Sequence, residues 1–358
     1  MSRVDRQALE AILVAAARAP SAHNTQPWMV RATPDGLSVR ADPARWLRHG
    51  DPSRRDLGLS LGGFIEALRI AGAANGVRVG DEAPPAGSAT GANQGAYALS
   101  LSPAGAPPAE ADREAASLLR RRQTSRLRYA PREPEATALE ALARAARDAK
   151  LDLHLAARGT PARRDLDGWH YAAAREAWLD PRAVAELRTW LRIDPEGALR
   201  PEDGLSTHCL GLSWSESAAL VALAQPAIWR AGQATLLGPL LAAPLARAET
   251  RAFEATPLVG VLVAPADARS AGAGLLRVWL AATRLGLALA PVSALLDRRG
   301  WELGRHLGVA PARLVCAFRL GRSVPAPRSG RRPVARFATL AGEPVAMASR
   351  LPTAQACP

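Results

Sequence analysis

Nine residues, Pro20-Ser21-Ala22-His23-Asn24-Thr25-Gln26-Pro27-Trp28, constrain this chain more than any other stretch. Ahead of them Leu9, Ile12, Leu13 and Ala16 recur at helical spacing. Pro20 has no N–H to carry that helix further. Behind them, residues 28–32 have the pattern of a short strand. Ser21, His23, Asn24, Thr25 and Gln26 thus crowd uncharged donors and acceptors into the joint between a helix and a strand. In one reading they satisfy free backbone groups at a helix C-terminus. In the other they present polar groups to a flat, neutral heteroaromatic ligand.

The rest of the chain alternates between the two periodicities. Turn chemistry at Thr33-Pro34-Asp35-Gly36 makes a β-hairpin of residues 29–32 and 37–41. Residues 57–74 place Leu61, Ile65, Leu68 and Ala71 on one face and predict a buried helix closed by Asn75-Gly76. Gly58, Gly62 and Gly63 weaken that helix but permit close packing or ligand approach. Further strands are expected at 97–101, 151–156, 258–264 and 314–318. Further helices are expected from Glu110 and at 135–150, 161–178, 181–191, 270–285 and 298–307. The segment 203–246 is Gly/Ala/Leu-rich and reads as a buried helical pair or as a lid over a site. The class is α+β.

A second stretch with chemical content is Arg120-Arg121-Arg122-Gln123-Thr124-Ser125-Arg126. As a charge run it is a solvated surface. If extended, it sets Arg122, Thr124 and Arg126 on one face, where two guanidinium forks and a hydroxyl suit a phosphate. A third possibility lies in Gly58-Leu59-Ser60-Leu61-Gly62, a Gly-x-Ser-x-Gly string followed later by Asp297 and His306. That would make Ser60 a hydrolase nucleophile. The strand that must precede such an elbow is missing, because Asp-Pro-Ser-Arg-Arg stands there.

Composition excludes other classes. The 358 residues carry a formal charge of +13, but Lys150 is the only lysine, and no run of five basic residues or basic-aromatic motif occurs. The arginine excess fits a GC-rich coding sequence rather than a nucleic-acid surface. Cys209, Cys316 and Cys357 lie far apart, and neither they nor the six histidines have the spacing of a metal site or disulfide framework. No stretch reads as a signal peptide or membrane span. The expectation is a soluble, cytoplasmic protein acting on small molecules, with no nucleic acid, membrane or metal.

Pro-Ser-x-x-Asn-x-Gln-Pro-Trp at 20–28 resembles the flavin-binding signature of the nitroreductase family, FMN-dependent oxidoreductases. The resemblance implies that Pro20, Ser21, Ala22 and Asn24 contact the flavin ring and ribityl chain, with Gln26 and Trp28 supporting the loop. Arg122-x-Thr124-x-Arg126 resembles the family's phosphate-binding element, although there it commonly precedes the Pro-Ser motif. Pro291-Val292-Ser293-Ala294 resembles the segment whose backbone N–H groups approach flavin N5. Ser293 stands where an acidic residue is common. Arg331, with Arg332 behind it, resembles the late pair that completes the phosphate site.

Residues 63–76 and 273–286 share a template, a helix closed by Gly before an apolar run. With the shuffled motif order, this implies two fused, pseudo-symmetric halves, each a sheet flanked by helices. The first half is 1–108 and the second 109–358, with 203–246 as a possible lid. One flavin per chain is expected, in a monomer that is an internal pseudo-dimer, or in a homodimer. This arrangement resembles the dormancy-associated Acg branch of the family. The implied activity is ping-pong transfer from a reduced donor, which no motif names as NADH or NADPH, to a nitroaromatic, quinone, enone or biosynthetic intermediate. The alternative is an FMN-sequestering protein with little turnover.

Overall fold

The computed structural model describes residues 4–33, 36–81, 96–196, 198–223, 237–264 and 268–340. After helix α1 (Arg6–Ala16), the hairpin β1 (Trp28–Thr33) and β2 (Gly36–Ala41) forms, followed by the long helix α2 (Arg55–Ala74). Strands β3 (Val77–Asp81) and β4 (Tyr97–Pro103) complete the first half's sequence of strands, and α3 (Glu110–Arg121) follows. Next come α4 (Ala136–Asp148) and β5 (Asp152–Ala157). Then come α5 (Pro161–Leu179), α6 (Pro181–Trp190), a parallel pair of short strands β6 (Leu191–Arg192) and β7 (Leu205–Ser206), and α7 (Thr207–Leu210), α8 (Trp214–Leu223) and α9 (Leu237–Glu254). The chain ends its folded course with β8 (Leu258–Val263), α10 (Ala268–Arg284), β9 (Ala288–Pro291), α11 (Ser293–Leu307), β10 (Leu314–Gly321) and β11 (Ala338–Thr339).

The two main sheets have strand orders β11-β1-β2-β4-β3 and β5-β8-β10-β9. Apart from β11, each sheet takes its four strands in the spatial order first-second-fourth-third, all antiparallel. Each also has a helix before its first strand, α1 or α4, and a helix between its second and third, α2 or α10. In the second sheet the long stretch 161–254 lies between β5 and β8, where β1 and β2 are separated by only two residues. The two stretches of shared template, 63–76 and 273–286, fall on α2 and α10, the equivalent helices.

Those two helices pack directly on each other. Small residues make this possible: a Cβ on Gly272 would stand 2.4 Å from the Leu59 carbonyl oxygen. Arg277 and Glu66 then form an ion pair at 2.7 Å across the contact. Helix α2 has the length and mean hydropathy of a membrane span, but 67% of its apolar window is buried in this packing.

Trp28, Phe64 and Phe337 anchor the first core, with Trp28 stacked on Phe64 at 4.5 Å. The second sheet is covered on both faces, by α4 and α10 on one side and by α5 and α11 on the other. Accordingly β8 and β10 are buried along their whole length, and β8 reads as a continuous apolar run. Helix α3, through Leu118 and Leu119, and Phe337 and Leu340 near the end of the folded course all join the first core. The cores therefore do not divide the chain at a single point such as 108/109. Strands β3 and β11 escape the sequence reading, and α11 begins five residues before the expected 298. Of the expected lid 203–246, residues 224–236 lie outside the described residues.

Candidate active site

The loop between α1 and β1 has a backbone that sequence alone does not predict. His23, Asn24 and Gln26 have φ of 47°, 55° and 50°, in the left-handed region that non-glycine residues rarely enter. Hydrogen bonds impose it. Ser21 Oγ accepts the Gln26 N–H at 2.9 Å, and the Ser21 carbonyl accepts the Asn24 N–H at 3.0 Å. The fully buried Gln26 amide donates to the Glu202 carbonyl at 2.8 Å and accepts the Arg332 N–H at 2.9 Å. Asn24 donates to the Gly330 carbonyl at 3.2 Å and accepts from Arg331 at 3.0 Å. The loop is thus clamped between segment 202–204 and the strap 329–332, which contribute from far along the chain.

Beneath the strap lie three arginines. Arg122 is 2% exposed, with its guanidinium 4.6 Å above the Trp279 ring. Its Nη2 donates to the Arg18 carbonyl at 3.0 Å, while Nε and Nη1 have no partner among the described residues. Arg331 donates to the Ala17 carbonyl at 2.7 Å, and Arg18 to the Ser329 carbonyl at 3.2 Å. Burial, and then Arg18, push the Arg122 pKa down to about 9. Burial, and then Arg18 and Arg122, hold Arg331 well below its ordinary value. No carboxylate among the described residues pairs with any of the three. Buried like charges without a counter-charge are unfavourable until an anion joins them. Planar guanidinium forks suit a phosphate dianion.

The other predicted stretches are drawn in by β9. Thr124 forms a parallel bridge with Leu289, which lays the 122–126 segment beside the strand ending at Pro291. Val292 donates its N–H to the Ala317 carbonyl at 2.9 Å and caps α11, so Ser293 and Ala294 open that helix. First-turn N–H groups at such a terminus favour electron-rich ligand atoms.

Between the loop and α11 lies a cluster that the sequence did not disclose. Arg55 bridges Asp56 at 2.9 Å and Asp297 at 3.0 Å. Asp51 accepts the Asp56 and Leu57 N–H groups at 3.1 and 2.8 Å. Two carboxylates thus share one guanidinium, with the Asp51 carboxylate held alongside by backbone N–H groups. Burial first, and then Asp56 and Asp51, push Asp297 up to about 7 against the pull of Arg55. Burial and Asp56 push Asp51 up to about 6. His23 is depressed to about 4 by burial and by Arg126, so its ring is neutral. The only sequence signal was the charged string Asp51-Pro-Ser-Arg-Arg-Asp56, which reads as a solvated loop.

No protein-family model matches the chain. Two Mycobacterium tuberculosis proteins, both named NAD(P)H nitroreductases, are 45% identical over 58 residues, 16% of this chain. The match spans 17% of the length of these relatives. The similarity is to nitroreductases. Among solved structures, the FMN-dependent nitroreductase NfnB from Mycobacterium smegmatis in complex with NADPH aligns at 20% identity. That alignment covers 62% of this chain and 96% of NfnB, with a TM-score of 0.36. A nitroreductase with bound FMN from Desulfitobacterium hafniense aligns at 15% identity over 62% of this chain and 94% of its own, with a TM-score of 0.33.

Not every expected residue joins the arginine cluster. Arg126 is half-buried, and its electrostatic neighbours are Tyr129, Cys209 and His23. Arg332 donates to the Gln26 carbonyl at 3.2 Å and so braces the loop from behind. Arg18, in contrast, was missed, since nothing local distinguishes it from other surface arginines. The hydrolase alternative fails. Ser60 lies within α2, 4% exposed, with its hydroxyl donating to the Asp56 carbonyl at 2.6 Å. His306 pairs instead with Asp165 at 3.8 Å and meets the Trp169 ring edge-on.

Proposed function

We propose that this chain is an FMN-dependent oxidoreductase of nitroreductase type, within the pseudo-dimeric Acg branch. The observation that carries the reading is the uncompensated cluster of buried Arg122 with half-buried Arg18 and Arg331, beside the strained Ser21–Gln26 loop. Its orphaned Arg122 Nε and Nη1 fit a phosphate monoester. Arg18, Arg122 and Arg331 would hold the FMN phosphate. Pro20, Ser21, Ala22 and Asn24 would line the ring and ribityl side, and Ser293 and Ala294 would offer N–H groups. When bound, FMN supplies hydride chemistry between a reduced nicotinamide donor and a flat acceptor. The chain's own residues position that chemistry and exclude water from it.

The repeated first-second-fourth-third strand order supports two fused halves. One site per chain follows from their difference. The helix-to-strand connection is residues 17–27 in the first half but only 149–151 in the second, too short to build a second loop of this kind.

The test is the visible spectrum of the purified protein, with the released chromophore identified. About one FMN per chain is expected. A colourless protein that takes up no added FMN refutes the reading. Coverage of the loop by Glu202 and Gly204 also favours sequestration of FMN with little turnover. In that case dithionite reduces the bound flavin while NADH and NADPH barely do.

A further inference from the structure

Asp297 is a buried acid with one oxygen uncommitted. Val292 caps α11 and Ser293 opens it, so Asp297 lies one turn further on, four residues after Ser293. Helical side chains lean back toward the helix N-terminus, which carries the Asp297 carboxyl over the turn that Ser293 begins. The side chain is 9% exposed. Its Oδ1 pairs with Arg55 Nη2 at 3.0 Å, while Oδ2 is buried with no partner among the described residues. Buried carboxylates held for stability alone have both oxygens hydrogen-bonded.

The groups around it leave this carboxyl as the one acid free to act. Arg55 and Asp56 face it from α2, and Asp51 from the turn before α2. Asp51 and Asp56 line one small cavity together with Ala22, Thr25 and Pro27, which sets the cluster against the Pro20–Trp28 loop. His23 on that loop feels the charge of Asp56, but its ring is neutral. From β10 comes Cys316, whose buried thiol stays protonated. The acids that α5 and its C-terminal cap bring to α11 are paired elsewhere, Glu176 with Arg299, Asp165 with His306 and Asp180 with Arg298. Burial beside Asp56 and Asp51 favours the neutral form of Asp297. Once ionised, the same group has Arg55 to stabilise it.

We propose that Asp297 is the proton donor to the acceptor, for acceptors whose reduction takes up a proton at oxygen. A quinone shows the balance: it gains a hydride from the reduced cofactor and one proton, and becomes a hydroquinone. The Asp297 O–H bond breaks as an O–H bond forms on the quinone oxygen. The carboxylate left behind stays on Arg55 and regains its proton from water. The transfer to an acceptor rests on the oxidoreductase reading; the protonated carboxyl does not.

The test takes the flavin-loaded full chain, reduces it with dithionite without oxygen, and follows its reoxidation by stopped flow. Menadione takes up a hydride and a proton; ferricyanide takes electrons alone. Asp297→Asn should slow the menadione reaction about a hundredfold or more while FMN content and the ferricyanide rate hold. The wild-type menadione rate should fall as pH rises through about 7, and the variant should lose that dependence. Infrared spectra of the unreacted protein give a readout without turnover. Wild type minus variant should show one protonated carboxyl that disappears near pH 7.

An unaltered menadione rate in the variant, or equal slowing with both acceptors, overturns the proposal. So does the absence of that carboxyl band. Should the variant not fold, the wild type decides by itself: a solvent isotope effect with menadione and none with ferricyanide is expected, and equal effects overturn the proposal. Failure of the flavin reading is seen separately, as wild-type protein that binds no FMN.

Discussion

Asp297→Asn probes the carboxylate cluster between the two halves. Asp297 sits with Asp56 and Asp51 around a single Arg55, and burial raises it from the ordinary 3.8 to about 7. A carboxyl whose folded pKa is raised binds more protons folded than unfolded throughout that window. Stability therefore falls as pH rises from about 4 to about 7 and levels off above. At ~1.4 kcal/mol per pH unit, tapering as the group titrates, the stretch from pH 5 to pH 7 removes ~2 kcal/mol. Asparagine keeps the shape and cannot ionise. Arg55 keeps Asp56 at 2.9 Å, so the variant leaves no unpaired cation. Urea unfolding at pH 5 and pH 8 is the assay. The wild type should lose ~3 kcal/mol or more across that interval, and the variant should lose clearly less, from Asp51 alone. At pH 8 Asp297→Asn should be as stable as the wild type or more so. A pH dependence unchanged by the substitution refutes the argument that Asp297 is the group driven up by burial.

Arg122→Met should lower FMN affinity at least tenfold, from loss of a charge-assisted contact, yet leave the FMN-free protein no less stable, because it removes a buried cation without a carboxylate. Equilibrium dialysis and thermal unfolding measure the two effects, and unaltered FMN binding excludes Arg122 from the phosphate site. Gln26→Ala strands the Arg332 N–H and the Glu202 carbonyl inside the protein and should destabilise it by about 3 kcal/mol, read by urea unfolding. Gly272→Ala should cost about 1–3 kcal/mol by wedging α10 off α2, where Leu59 leaves no room. Gly168→Ala, in α5 with open space at the Cβ, should instead raise stability by about 0.5–1 kcal/mol. A lower Tm for Gly168→Ala than for Gly272→Ala contradicts the packing described.

Local pattern made much of this protein legible. The hairpin at 28–41, the long helix α2 and the central strand β8 follow from periodicity and turn residues, because neighbours along the chain decide them. The glycines of α2 were legible as close-packing residues but not their partner, since Gly272 lies some two hundred positions away in sequence. Strand β11 was illegible because two residues hold no period; their pairing with Val30 and Arg31 defines them.

The candidate site divides along the same line. Residue types in the Pro20–Trp28 stretch by themselves determined that a dense polar joint would stand between α1 and β1. Tertiary structure alone decided its left-handed backbone, because the hydrogen bonds that impose it come from Glu202, Gly330, Arg331 and Arg332 as well as from Ser21. Likewise, sequence marked Arg122 and Arg331 as candidates but could not separate them from Arg126 or add Arg18. Charge type is written locally. Whether a guanidinium meets a carboxylate, a carbonyl or another guanidinium depends on distant segments brought together, and the burial of those contacts sets the energy of the site.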